Sequence, residues 1–198
     1  MKGAACGGAL TFALFFLSIN GAVMADTLTE CLTPTERADM RSLAARTNAG
    51  PLQAAGHILT LLPAEAIFAT LTEIEPMARW MPGLQGGTYD DRPEGDPIVA
   101  GMTRRLDFGG QSDVERIVAV EAPRLFAYQI VGGFPIDNHL AVLSVAKLST
   151  GETRVSWYQH FRSPRITGVL QRWQVRRFVD SGMTALAALL GGQRTDEC

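Results

Sequence analysis

Between residues 84 and 161, six consecutive segments alternate apolar and polar residues with a period of two, and this pattern constrains the fold most strongly. Such alternation is typical of strands that bury one face. The turns between the segments are short and rich in glycine and proline, and connections of this kind join antiparallel neighbours. The predicted strands are 84–90, 98–108, 112–121, 124–131, 138–148 and 152–161.

A long amphipathic helix is predicted directly after these strands, from Arg165 to Leu190, where Gly191-Gly192 ends it. Apolar residues recur along it at steps of three and four, which places them on one side of a helix. They are Ile166, Val169, Leu170, Trp173, Phe178, Leu186, Leu189 and Leu190.

One more strand and two short helices are predicted before the six strands. The strand is His57–Leu62, Pro63 opens a helix over 63–74, and a second helical piece covers 75–80. The predicted fold class is α+β: a curved antiparallel sheet of about seven strands, with two short helices after the first strand. The sheet wraps around the long C-terminal helix, because this arrangement buries the apolar face of each.

The first 25 residues have the pattern of a secretory signal peptide. Met1-Lys2 gives a positive start, an uncharged apolar run follows, and cleavage is expected before Asp26. The alternative is an uncleaved membrane anchor, for which the apolar run is short. The mature protein is therefore expected to be exported, either periplasmic or secreted.

Export also bears on the cysteines. Removing the signal peptide removes Cys6 and leaves Cys31 and Cys198, and an even pair in an exported protein predicts a disulfide. The alternative is two unpaired thiols. Neither cysteine has a partner at metal-ligand spacing, so no metal is expected.

A helical extension, residues 26–55, is predicted ahead of the main domain, residues 56–198. Thr33-Pro34-Thr35-Glu36 carries the signals of a helix start, with a hydroxyl at the N-cap and a glutamate three residues later. The helix is predicted to end near Thr47. Its apolar face is thin, so we expect it to pack on the main domain.

Composition and motifs exclude several functions. The apolar fraction of 46% is too high for a disordered chain, and a net charge of −2 argues against nucleic-acid binding. The sequence contains no P-loop, Rossmann glycine pattern, zinc-protease motif or Ser-His-Asp order. No cofactor is therefore expected.

Four motifs appear in the same order as in a known superfamily. They are EPMARWMPG at 75–83, GMTRRL at 101–106, ERI at 115–117 and TRVSW at 153–157. Together, over residues 56–190, they resemble the helix-grip (START/Bet v 1-like, SRPBCC) superfamily, in its polyketide cyclase/dehydrase and lipid-transport branch. The resemblance implies a sheet and long helix that enclose an apolar cavity.

One stretch is similar to the plant abscisic-acid receptors of that superfamily: Tyr128–Gly133, followed by Asn138-His139. In those receptors the Gly-Gly segment begins a latch loop over the cavity, and the glutamate of the E-R-[IL] strand faces the ligand. His139 stands here in place of a pocket tyrosine. Phe134-Pro135-Ile136-Asp137 replaces the receptors' His-Arg-Leu pattern.

The cavity implied by the resemblance, combined with alternation along each strand, predicts which side chains face a ligand. If Glu115 faces inward, Ile117 and Ala119 lie on the same face of the strand. A buried carboxylate then needs a partner of opposite charge, and Arg104 is the candidate. The alternative for this pair is a solvated cross-strand ion pair. The predicted ligand-binding residues are Arg104, Glu115, Ile117, Phe126, Tyr128, Ile130, His139, Ala141, Leu143, Trp157 and Gln159.

Three functions remain open at this stage. The first is an exported carrier of a lipid or another hydrophobic small molecule. The second is a cyclase- or dehydratase-like enzyme that uses Glu115, His139 and Arg104 for acid–base chemistry. In that case His139 would exchange protons, whereas the alternative is a hydrogen-bonded wall residue. The third is an interaction module with a collapsed cavity.

An arginine-rich segment surrounds the start of the final helix. It suits either transient contact with an anionic membrane surface or a solvated helix face. The arginines are Arg162, Arg165, Arg172, Arg176 and Arg177.

Overall fold

The computed structural model describes residues 32–90, 92–93, 95–164 and 168–195. The predicted signal peptide and both Cys31 and Cys198 lie outside these residues. Cleavage before Asp26 and the disulfide therefore stay predictions. Arg165, the predicted first residue of the long helix, also lies outside them.

Within the described chain, four helices and eight strands follow one another in nearly the predicted order. They are α1 (Pro34–Thr47), β1 (Leu52–Thr60), α2 (Ala64–Thr72), α3 (Ile74–Met77), β2 (Gly86–Tyr89), β3 (Thr103–Asp107), β4 (Ser112–Glu121), β5 (Leu125–Gly132), β6 (Asp137–Lys147), β7 (Thr153–Arg162), α4 (Gly168–Leu189) and β8 (Gln193–Thr195).

All eight strands form one antiparallel sheet in the order β2-β3-β4-β5-β6-β7-β1-β8. The predicted α+β architecture with a long C-terminal helix is confirmed. The sheet has eight strands where about seven were predicted, because the short strand β8 pairs with His57–Leu59 of β1. A polar strand of three residues is too short to show a period in the sequence. The first strand also begins at Leu52, earlier than predicted.

The concave side of the sheet holds the main core, where α4 packs on β1. Gly56 permits this approach, since a Cβ built there would lie 2.8 Å from Met183 Cγ. At the same level, the rings of Trp80 and Trp157 meet edge to face at 5.4 Å. Both tryptophans are almost fully buried, so this contact fixes the α3 region against the sheet.

The convex side is also covered, because α1 lies against it. Met40 and Leu43 of α1 pack in a second apolar cluster with Leu140, Val142 and Tyr158. This second layer explains why β7 is buried at every residue from 153 to 161, whereas alternation alone predicts one polar face.

A buried polar contact, here called the Glu36 clasp, fastens α1 to this face. Glu36 Oε2 lies 2.5 Å from Arg154 Nη2, and Ser144 Oγ donates to Glu36 Oε1 at 2.7 Å. The same carboxylate accepts from the Thr33 N–H, which completes the predicted capping box. Glu36 and Arg154 are only 5% and 6% exposed. One residue therefore caps the helix and anchors it.

A bulge in β4 changes one predicted face. The pairing of β4 with β5 shifts between Ile117 and Ala119. Ile117 remains in the concave core, whereas Ala119 packs with the convex cluster. The prediction that Ala119 faces inward is therefore wrong, since an extra residue in one strand reverses the alternation beyond it.

Candidate functional site

A cavity of about 300 Å³ lies between the concave face of the sheet and α4. Its wall is mainly apolar and includes two carboxylates and three side-chain amides. The lining residues are Met81, Phe108, Gln111, Asp113, Glu115, Tyr128, Ile130, Phe134, Ile136, Gln159, Gln174, Val175 and Phe178.

The strands and the helix deliver these side chains by their own periods. Asp113 and Glu115 are two residues apart on β4 and therefore share one face of the strand, and the same holds for Tyr128 and Ile130 on β5. On α4, positions 174, 175 and 178 fall on one side, as the helical spacing requires. The cavity is thus bounded by rigid elements over most of its wall.

Glu115 and Arg104 are direct cross-strand partners on β4 and β3. Arg104 Nε donates to Glu115 Oε2 at 2.6 Å, and the side chains are 0% and 5% exposed. Arg104 Nη1 also donates to the Tyr89 hydroxyl at 3.2 Å. The guanidinium lies 5.1 Å and 4.9 Å from the ring centroids of Phe126 and Tyr128. The pair is therefore inward and buried, and the alternative of a solvated pair is excluded.

The protein favours the charged form of Arg104 but not that of Glu115. Burial raises the pKa of Glu115, and the nearby Arg104 offsets this only in part. Burial alone would lower the pKa of Arg104, but Glu115 and two tyrosines more than compensate and raise it. Burial also raises the pKa of Tyr128, which stays a neutral phenol. Arg104 thus remains a cation beneath the cavity wall.

Glu115 also offers a free acceptor to the cavity. Its Oε2 is bound by Arg104, whereas Oε1 accepts no hydrogen bond from any residue that the structure describes. Glu115 is a lining residue, and carboxylate oxygens only accept when ionised. A ligand bound here therefore meets a hydrogen-bond acceptor on a mainly apolar wall.

His139 lies behind the wall rather than on it. Its Nδ1 accepts from the Ile130 N–H at 2.9 Å. The ring proton is therefore on Nε2, which donates to Gln159 Oε1 at 2.8 Å. Burial lowers the pKa of His139 to about 4. With both nitrogens engaged, His139 is hydrogen-bonded behind the wall and positions Gln159, which fits the expected hydrogen-bonded role rather than proton exchange.

The buried neutral His139 predicts a pH-dependent stability. Its pKa is about 4 when folded, against about 6.5 when unfolded. Its contribution is therefore complete above pH 6.5 and is lost as the pH falls toward 4, by about 3 kcal/mol in total. We expect His139→Asn to show a shallower fall in unfolding free energy between pH 7 and pH 4.5, measured by urea titration. Equal slopes in the two proteins would contradict this.

The loop of residues 133–136 lies at the cavity edge. In the sequence it stands where the abscisic-acid receptors have their latch loop. The Phe134 N–H donates to Asp113 Oδ1 at 2.8 Å, and Gln171 Nε2 of α4 donates to the Pro135 carbonyl at 2.9 Å. Gly133 has a φ of +91°, and a Cβ there would lie 2.3 Å from the Ser112 carbonyl oxygen. The loop is thus tied to both sides of the cavity.

Four of the eleven predicted ligand-binding residues line the cavity: Glu115, Tyr128, Ile130 and Gln159. The other seven are buried behind the wall: Arg104, Ile117, Phe126, His139, Ala141, Leu143 and Trp157.

Nine lining residues escaped the sequence reasoning. Asp113 was detectable, since it shares the period-two face of Glu115. Phe178 was on the predicted apolar face of the helix but was not assigned to the cavity. Gln174 and Val175 were not detectable, because the apolar pattern assigned Trp173 to the packed face, whereas Trp173 is 54% exposed. The missed residues are Met81, Phe108, Gln111, Asp113, Phe134, Ile136, Gln174, Val175 and Phe178.

The sheet, the long helix and the cavity between them define a helix-grip protein. The sequence pattern of the polyketide cyclase/dehydrase and lipid transport family matches residues 57–191. The chain therefore belongs to this family, and its fold is that of the START/Bet v 1 (SRPBCC) superfamily. Comparison with curated proteins gives no significant match.

Solved structures show the same fold at low identity. A protein from Thermobifida fusca is 24% identical, with a TM-score of 0.58 over 70% of this chain and 92% of its own. A START superfamily protein from Mycobacterium smegmatis is 12% identical, with a TM-score of 0.58 over 70% and 96%. An HSP90 activator from Plasmodium falciparum is 13% identical, with a TM-score of 0.51 over 71% and 97%.

Proposed function

We propose that this protein is an exported carrier that holds one small hydrophobic molecule in its cavity. The observation that carries the proposal is the apolar cavity of about 300 Å³ with Glu115 on its wall. Ligand sites are usually concave, mainly apolar and supplied with a few oriented polar groups. The open cavity argues against the third function considered above, a module with a collapsed interior.

Cavity volume limits the ligand. A volume of about 300 Å³ lies at the small end of the range for small-molecule sites, about 300–1,000 Å³. This favours a compound of one or two rings or one short chain over a lipid with two long chains. We therefore infer a compact apolar ligand.

Glu115 and Gln159 define the polar end of that ligand. Glu115 Oε1 accepts hydrogen bonds, and Gln159, whose carbonyl oxygen accepts from His139, presents its amide nitrogen as a donor beside the Tyr128 hydroxyl. A hydroxyl group supplies both a donor and an acceptor. We infer a ligand with a hydroxyl or comparable group at this end and an apolar body towards Phe134 and Phe178.

A fluorescent probe tests the cavity directly. N-phenyl-1-naphthylamine is neutral and apolar and carries one N–H donor, and we expect it to bind one per chain. Ile130→Trp fills part of the cavity and should weaken binding by about tenfold or more, because overpacking leaves no room without strain. Val131→Trp is the matched control, since Val131 is adjacent but 48% exposed. Equal affinities of the two variants would contradict a cavity site.

A second candidate, a cyclase- or dehydratase-like enzyme, is favoured by one observation. A cavity carboxylate whose pKa is raised by burial is suited to general acid–base catalysis. Glu115→Gln separates the two functions. In an enzyme this change should lower turnover about a hundredfold with binding retained. In a carrier, by contrast, only ligand affinity should change.

Export forms part of the proposal and is supported by the signal-peptide pattern of residues 1–25. Intact-mass measurement of the protein from its own cells should show a chain that begins at Asp26. Thiol titration of the same sample without reductant should find neither Cys31 nor Cys198 free. A full-length chain with two free thiols would contradict both expectations.

A further inference from the structure

The start of α4 exposes an apolar surface that the cavity does not explain. Val169, Leu170 and Trp173 are 67%, 59% and 54% exposed. Their spacing of three and four residues places them together on one side of the helix. The opposite side carries Val175 and Phe178, which line the cavity. We call these three exposed residues the Trp173 patch.

The segment that contains the Trp173 patch is strongly basic. Residues 162–179 contain five arginines and neither aspartate nor glutamate, although the whole chain has a net charge of −2. The Arg177 guanidinium lies 5.2 Å from the Trp173 ring centroid. Arg162, Arg172 and Arg177 form no ion pair with any described residue. The basic charge is therefore available to an external anion.

The Trp173 patch adjoins the loop over the cavity. Gln171, between Leu170 and Trp173, donates to the Pro135 carbonyl of the loop 133–136. Gln174, next to Trp173, lines the cavity. A surface that engages the patch therefore lies beside the loop and the helix turn that bound the cavity.

We propose that the Trp173 patch docks on an anionic lipid bilayer. Trp173 and Leu170 enter the interfacial region, where tryptophan is favoured, and the surrounding arginines contact the headgroups. A second copy of the chain fits less well, because a twofold contact would place the two basic patches against each other. Docking needs no ligand in the cavity, so it stands or falls independently of the proposed function.

Vesicle flotation tests the proposal with the mature protein. We expect binding to vesicles of phosphatidylcholine with about 30% phosphatidylglycerol, no binding to phosphatidylcholine alone, and release at high salt. Trp80 and Trp157 are 2% and 0% exposed, so a blue shift in tryptophan emission on binding reports Trp173. Quenching by brominated lipids should accompany the shift.

Two pairs of variants separate the Trp173 patch from general charge and hydrophobicity. Leu170→Glu should weaken vesicle binding about tenfold or more, whereas Leu61→Glu should not, although Leu61 is 80% exposed. A double change of Arg172 and Arg177 to glutamate should have a comparable effect. The same double change at Arg41 and Arg46, exposed on α1, should have little.

Three results would overturn the proposal. They are a wild-type protein that does not float, Leu170→Glu protein that floats as wild type, and equal effects of the two arginine pairs. Sedimentation analysis covers the alternative occupant. A dimer that dissociates in Leu170→Glu would assign the Trp173 patch to a second copy instead.

Discussion

Replacing Arg104 with methionine is expected to lower the free energy of unfolding by about 3–5 kcal/mol, because the Glu115 carboxylate loses its buried partner. Arg104 is fully buried, so in the folded protein Glu115 depends on the guanidinium rather than on bulk water for its compensating charge. The variant also loses the contacts with Phe126 and Tyr128. Urea unfolding monitored by circular dichroism measures the change.

Arg105→Met is the matched control for this prediction. Arg105 is the next residue on β3, its side chain is 61% exposed, and it pairs with Asp90 at 3.3 Å. An exposed pair contributes about 0–1 kcal/mol, so the control should be nearly neutral. Combining Arg104→Met with Glu115→Leu should recover most of the stability, because the unpaired charge is removed. A small loss for Arg104→Met, similar to the control, would contradict the buried pair.

The second large effect is expected at the Glu36 clasp. Glu36→Ala removes the partner of the buried Arg154, the acceptor for Ser144 and half of the capping box. We expect a loss of about 3–5 kcal/mol, since an uncompensated cation remains under α1. Hydrogen exchange should show the α1 amides losing protection first, because the helix has only a thin apolar face.

Two milder variants separate the contribution of the helix cap from that of the ion pair in the Glu36 clasp. Thr33→Ala removes only the cap and should cost about 1 kcal/mol. Glu36→Gln keeps one acceptor oxygen, which can still accept from the Thr33 N–H, but it puts an amide NH2 in place of the second oxygen and removes the charge opposite Arg154. It should therefore fall between Thr33→Ala and Glu36→Ala. If Glu36→Ala costs no more than Thr33→Ala, the clasp does not hold α1.

The elements of the fold followed from sequence where local signals and tertiary packing agree. The capping box of α1 and the alternation in β4 and β6 predicted those elements closely. Strand β8 and the bulge after Ile117 were missed, since both depend on pairing with a distant strand rather than on local pattern. The full burial of β7 was also beyond reach, because α1 covers its second face.

The same contrast between local pattern and tertiary packing applies to the cavity residues. Glu115, Tyr128, Ile130 and Gln159 lie on strands whose alternation fixes the cavity side. The contributions of α4 and of the loop 133–136 depend on helix rotation and loop path, which no period specifies. His139 shows a further limit, because only its hydrogen bonds to Ile130 and Gln159 reveal that it positions a lining residue.

Native mass spectrometry of the mature protein from its own cells tests the central claim most directly. The account predicts a single noncovalent adduct of one compact apolar molecule per chain, recoverable by solvent extraction. The adduct should be absent from Ile130→Trp and present in Val131→Trp. No adduct in the wild-type protein, or one that Ile130→Trp retains, would contradict a carrier that uses this cavity.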